Sequence, residues 1–243
     1  MTTNIPGQQP VLILDFDGTV ALGDGPVMAY AQAVAKDLES AKATGLLDTV
    51  QEFLSGESTL AFKDGYDAVA RLSENLLSRG QLNAAYRQSR DAIAAGQVAV
   101  HLPPGLTEFL ADIEGYAQRV LFTNAPLTGV TESLQALGLA ESIDAVVPEA
   151  GKPAGFATWL PKFLAGRSAE QLLSVGDVWA NDIEIPLKAG CSTAFVDRFN
   201  LKTGPAHLRA QTIEQLYPGI QDWATDPVAF QLHHSLPQSS LDR

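Results

Sequence analysis

Five short apolar runs recur along this 243-residue chain without the alternation of a half-exposed strand. They are VLIL (11–14), RVLFTN (119–124), AVV (145–147), LLSVGD (172–177) and STAFVD (192–197). A continuous apolar strand needs cover on both faces, which a parallel sheet flanked by helices provides. Helical patterns separate the runs: GLTEFLADIEGYA (105–117), TGVTESLQALGLA (128–140), FATWLPKFLAG (156–166) and IEIPLKAG (183–190). Gly138 marks a helix end, and Pro161 and Pro186 predict a kink or an early first-turn position. The alternation predicts an α/β fold: a doubly wound, mainly parallel, Rossmann-like sheet.

Between the first and second runs the alternation stops. Residues 29–47, 59–80 and 82–96 read as helices with few strand signals. At roughly eighty residues, this segment is too long for one crossover. It predicts an inserted α-helical cap domain over 21–102, entered through the Gly23, Gly25 and Pro26 turn and left at Pro103-Pro104-Gly105. The α/β core then comprises 1–20 and 103–225, with one last helix in TIEQLYPGIQDWA (212–224). Residues 226–243 read as a polar C-terminal tail.

Composition excludes several classes. Hydrophobic residues make up 46% and charged residues 18%, an ordinary globular balance. No apolar run approaches the roughly 18 residues of a bilayer span. MTTNIPGQQP lacks the regions of a signal peptide, so a cytoplasmic protein is expected. A net charge of −12 argues against a nucleic-acid partner and against an anionic membrane surface. An anionic small molecule stays open, because a metal ion and one or two lysines reverse the local field. Cys191 is the single cysteine and forms no internal disulfide. It reads as a reactive thiol or, more simply, as a small buried apolar residue. The sequence carries no signal for oligomeric state.

The common nucleotide, hydrolase and zinc-protease motifs are absent: Gly151-Lys152 is followed by Pro153, and Gly23-Asp24-Gly25 by Pro26. Four other features fall at or just after strand ends, where open α/β sheets bind ligands. They are Asp15-Phe-Asp17-Gly18-Thr19, Thr123 in VLFTNA, Lys152 after AVVPEAG, and Asp177 to Asp182 in GDVWAND. Each alone has a structural explanation, since Asp, Gly and Thr are common where strands become loops. Together, in this order, they point to one crevice.

This combination resembles the haloacid dehalogenase (HAD) superfamily, in its phosphatase-like branch with a helical cap (phosphoglycolate phosphatase and beta-phosphoglucomutase-like members). The resemblance implies a Mg²⁺-dependent hydrolase of a small phosphorylated metabolite. Asp15 is implied as the nucleophile that becomes an aspartyl-phosphate, and Asp17 as the general acid and base. Mg²⁺ is implied on the Asp15 carboxylate, the Asp17 backbone carbonyl and Asp177, with Asp182 supporting the metal or orienting Lys152. Thr123, Asn124 and Lys152 are implied in phosphate binding, Lys152 also neutralising charge in the transition state. Dehalogenases of this superfamily lack an acid at the Asp17 position, because halide leaves without a proton. Asp17 therefore favours phosphate esters. A phosphomutase with the same core residues, and a non-catalytic phosphate- or metal-binding module, remain as alternatives.

Overall fold

The computed structural model describes residues 9–236. They form two compact units. The first holds the sheet and takes in the chain up to Leu22, Leu102–Leu127 and the chain from Leu137 onward. The second comprises Gly23–His101 and Thr128–Ala136.

Six strands make the sheet: β1 (Val11–Leu14), β2 (Gln118–Phe122), β3 (Ala145–Val147), β4 (Leu172–Gly176), β5 (Ser192–Val196) and β6 (Leu208–Ala210). The order is β3-β2-β1-β4-β5-β6, and every pair is parallel. The chain winds from β1 to one side and later to the other, so β1 stands at the switch point where such sheets bind ligands. Leu14 pairs with Leu121 on one side and Val175 on the other. The residue after it, Asp15, therefore leaves the sheet between the ends of β2 and β4.

The continuous apolar strands are covered on both faces, as their composition requires. Val11 and Ile13 join a core of Val120, Phe122, Val147, Phe156, Phe163 and Cys191. By the two-residue period Leu12 and Leu14 face the other way, and both are fully buried. Phe122 meets Phe156 and Phe163 edge to face, with ring centroids 4.9 and 5.2 Å apart. Phe156, Leu160 and Phe163 line one side of α7 (Phe156–Leu164) at helical spacing. Pro161 lies inside α7 on its exposed side, where water can take the Ala157 carbonyl that Pro161 leaves unpaired. Pro186 is the third residue of α9 (Glu184–Lys188), the early position expected of it. Of the strands, β6 has no counterpart among the apolar runs. Its residues Leu208-Arg209-Ala210 are half-buried or exposed, at the edge of the sheet opposite β3.

The stretch expected as a polar tail departs from that reading at its start. Asp226 caps a helix over Pro227–His233 by accepting the Ala229 N–H at 3.0 Å. Phe230 is buried, and the Gln231 amide donates to the Gly190 carbonyl and the Ser192 hydroxyl. A single buried aromatic in a polar segment is too weak a pattern to announce a helix. Residues 237–243 lie outside the described chain.

The second unit is built from α1 (Gly25–Ala35), α2 (Ser40–Leu54), α3 (Gly65–Ser73) and α4 (Arg79–Ala94), with α1 packed against the other three. Tyr30, Tyr66 and Tyr86, from α1, α3 and α4, form an aromatic cluster with centroids 5.6–6.2 Å apart. The helical stretch read over 29–47 is two helices, because Glu39 is extended (φ −62°, ψ 147°). The stretch read over 59–80 yields only α3 and the first residues of α4. Asp64 starts α3 by accepting the Asp67 N–H, and a Ser78–Gln81 capping box starts α4. Leu127–Ala136 is a helix broken at Thr128 and Gly129, just where the chain passes between the two units.

Candidate active site

The candidate residues stand on loops that leave the carboxyl ends of four adjacent strands. The Asp15 N–H donates to the Val175 carbonyl at 2.9 Å, which carries the β1–β4 pairing one residue beyond the strand. The chain then curls tightly. The Phe16 carbonyl accepts from the N–H groups of Thr19, Val20 and Ala21, and Gly18 N–H donates to Ala21. Gly18 has φ +87°, and a Cβ there would lie 2.2 Å from Asp177 Oδ2. Glycine is therefore demanded twice, by backbone conformation and by the carboxylate packed against it.

Lys152 joins two of the motifs. Its Nζ lies 2.6 Å from Asp15 Oδ1 and 2.6 Å from Asp182 Oδ1. The lysine side chain is 3% exposed, Asp182 2% and Asp15 12%. Burial alone lowers the Lys152 pKa, but the Asp15 and Asp182 carboxylates outweigh it, so the net shift is upward and the ammonium is held charged. Burial pushes the Asp182 carboxyl up to about 7 against the pull of Lys152, and Asp15 adds to the rise. Asp182 is otherwise well held. Its Oδ2 accepts the Val178 N–H at 3.0 Å, and its carbonyl accepts the Ser174 hydroxyl at 2.7 Å. Gly176 makes room for it, since a Cβ there would sit 2.3 Å from the Asp182 carboxyl carbon.

Asp15, Asp177 and Asp182 each offer a carboxylate oxygen within 4.8 Å of one another. Three carboxylates and one ammonium leave two negative charges when all are ionised, the complement of a divalent cation. An all-oxygen donor set of this kind suits a hard ion such as Mg²⁺. The Asp17 side chain is not part of this trio. It stands half-buried in the tight turn two residues beyond Asp15.

On the other side of β1, the ladder between β2 and β3 continues past both strands. Thr123 N–H donates to Val147, Ala150 N–H to Thr123, and Glu149 N–H to Ala125, at 2.9–3.1 Å. The Thr123 hydroxyl accepts the Ala125 N–H at 3.0 Å, which leaves its own proton to donate. The Asn124 side chain is engaged with the Lys152 backbone at both ends.

Sequence reasoning missed the supports. Ser174 stands out only as a small residue in a strand of large apolar ones, and Gly176 heads the GDVWAND motif without any sign of the Asp182 carboxylate packed against it. Trp179 opens α8 (Trp179–Asp182) and ties the Asp177–Asp182 segment to a distant loop through its indole N–H, which donates to the Pro205 carbonyl at 2.9 Å. No local pattern signals that bond.

No known family profile matches the chain, and no curated protein matches it in sequence. Solved structures do match it in fold. YfnB from Bacillus subtilis, assigned as a HAD-hydrolase and solved bound to magnesium, superposes with a TM-score of 0.61 at 17% identity, over 88% of this chain and 99% of that one. CbbY from Rhodobacter sphaeroides, solved in complex with phosphate, gives 0.56 at 13% identity, over 86% and 96%. L-2-haloacid dehalogenase from Xanthobacter autotrophicus gives 0.54 at 13% identity, over 88% and 99%. The fold is thus that of the haloacid dehalogenase superfamily. Because a phosphate-bound protein and a dehalogenase share it equally, the chemistry must be argued from the site.

Proposed function

We propose that this protein is a Mg²⁺-dependent phosphatase acting on a small phosphorylated metabolite through an aspartyl-phosphate on Asp15. The observation that carries the proposal is the Lys152 ammonium bridging Asp15 and Asp182, with the Asp177 carboxylate grouped beside them. Asp15, the Asp17 carbonyl and Asp177 would hold the Mg²⁺, with Asp182 adjacent. When bound, the ion supplies the positive charge that lets a carboxylate approach an anionic phosphate.

The Asp15 carboxylate oxygen forms a bond to phosphorus as the bond from phosphorus to the leaving oxygen breaks. Asp17, protonated at that moment, delivers its proton to the leaving oxygen. It then takes a proton from water as the water oxygen bonds to phosphorus and the Asp15–phosphorus bond breaks. Inorganic phosphate leaves, and both aspartates return to their starting states. Thr123 donates its free hydroxyl proton to a phosphoryl oxygen, and Lys152 offsets charge on the attacking carboxylate. The presence of Asp17 favours this chemistry over dehalogenation, which needs no proton for its leaving group.

The test is phosphate release from p-nitrophenyl phosphate and from a panel of metabolite phosphate monoesters. Turnover should require Mg²⁺, stop on adding EDTA and vanish in Asp15→Asn. A folded protein with no Mg²⁺-dependent hydrolysis across the panel refutes the proposal.

A further inference from the structure

Asn124 follows Thr123 on the exit from β2, where a side chain could be turned toward a bound phosphate. Its amide is used otherwise. Nδ2 donates to the Lys152 carbonyl at 3.0 Å, and Oδ1 accepts the Lys152 N–H at 2.6 Å. Both ends of one carboxamide thus meet the backbone of one residue, 28 positions away. The pairing sets the amide's orientation, because a flip would place donor against donor and acceptor against acceptor.

We infer that Asn124 is a positioning residue for Lys152, acting through the lysine backbone rather than as a side-chain ligand of the phosphoryl group. The inference rests on the phosphatase reading, in which Lys152 is the cation at the attacking carboxylate. Lys152 lies in the turn between β3 and α7, outside any helix or strand. The backbone bonds that stitch 147–150 to 123–125 end at Ala150. The Asn124 amide extends that stitching two residues further, to the lysine itself. The need is geometric. A long side chain with several rotatable bonds must place Nζ 2.6 Å from two carboxylates at once. A backbone shift of about 1 Å at its root misplaces the ammonium, an error that costs about 10²-fold in well-oriented reactions. A clamp on both the N–H and the C=O removes the freedom to make that shift.

The test uses the full chain with Mg²⁺ and p-nitrophenyl phosphate. Asn124→Ala should lower kcat about tenfold or more while KM stays within about threefold. In a Lys152→Ala background the same substitution should change kcat by less than about twofold, because the residue it serves is gone. A loss that persists in full in that background, or that appears mainly as weaker inhibition by inorganic phosphate, assigns the side chain to phosphate and overturns the inference. A second readout needs no turnover. Hydrogen exchange at the Lys152 amide, measured without metal, should speed by about tenfold or more in Asn124→Ala. An unchanged exchange rate also overturns the clamp. Asn124→Ser carries the same measurements should Asn124→Ala fail to fold. Absence of turnover in the unsubstituted protein would count against the phosphatase reading alone, and the exchange rate would still decide the role of Asn124.

Discussion

Replacing Lys152 by Met keeps an unbranched side chain, one atom shorter, and removes its charge. Asp15 and Asp182 then face each other with oxygens within 4.8 Å and no cation between them. At an effective dielectric near 20, two such charges repel by about 3–4 kcal/mol, in line with the roughly 3–5 kcal/mol lost when a buried pair is broken from one side. Asp182 has a way out, because burial already pushes its carboxyl up to about 7 and loss of the lysine raises it further. A carboxyl raised above its unfolded value holds a proton in the folded state that the unfolded chain has released. Stability therefore falls as pH rises from the unfolded value through the folded one, and the penalty in Lys152→Met grows in that direction. Thermal unfolding in EDTA should show a melting point lower by about 10 °C at pH 8, and by less than half of that at pH 5. The same variant, assayed with Mg²⁺ and p-nitrophenyl phosphate, should lose about 10²–10³-fold in kcat. An equal drop in melting point at both pH values, or none at pH 8, would show that the three charges do not interact as the geometry requires.

Other groups give independent checks. His207 is pushed down to about 4 by burial, with His234 adding to the shift, so the unfolded chain takes up the proton first as pH falls. Its contribution is complete above about 6.5 and is lost between there and 4; discounted for partial exposure it amounts to about 1–2 kcal/mol. Melting curves of wild type and His207→Gln at pH 7.5 and 4.5 should converge at the lower pH, and parallel losses would contradict the assignment. Cys191 is fully buried in the sheet core, and burial pushes its thiol up to about 12. Iodoacetamide at pH 8 should label it only after unfolding in urea; ready labelling of the native protein would show that the core opens there. Gly176→Ala drives a methyl group into the Asp182 carboxyl. It should destabilise by about 1–3 kcal/mol and raise the Mg²⁺ concentration for half-maximal activity about tenfold, and an unaltered metal requirement would separate Asp182 from the metal site.

The sheet was legible from its own composition. Strands covered on both faces are mainly apolar, so β1 to β5 stand out as short apolar runs, and their spacing by helical patterns leaves a doubly wound parallel arrangement as the consistent topology. The placement of Asp15, Asp177 and Lys152 was legible for a related reason: polar residues directly after such runs sit at one edge of the sheet. Where burial is partial the pattern fades. That hid β6, hid the helix at Pro227–His233, and merged α1 with α2. The bonds that complete the site were hidden differently. Asn124 to Lys152, Trp179 to Pro205 and Ser174 to the Asp182 carbonyl join residues whose local neighbours give no hint of the partner. Sequence alone determined which reactive groups the chain would bring to the end of its sheet. Tertiary structure decided that one lysine bridges two of the carboxylates and that an asparagine holds it there, because hydrogen-bond geometry between distant loops exists only once the strands have set them side by side.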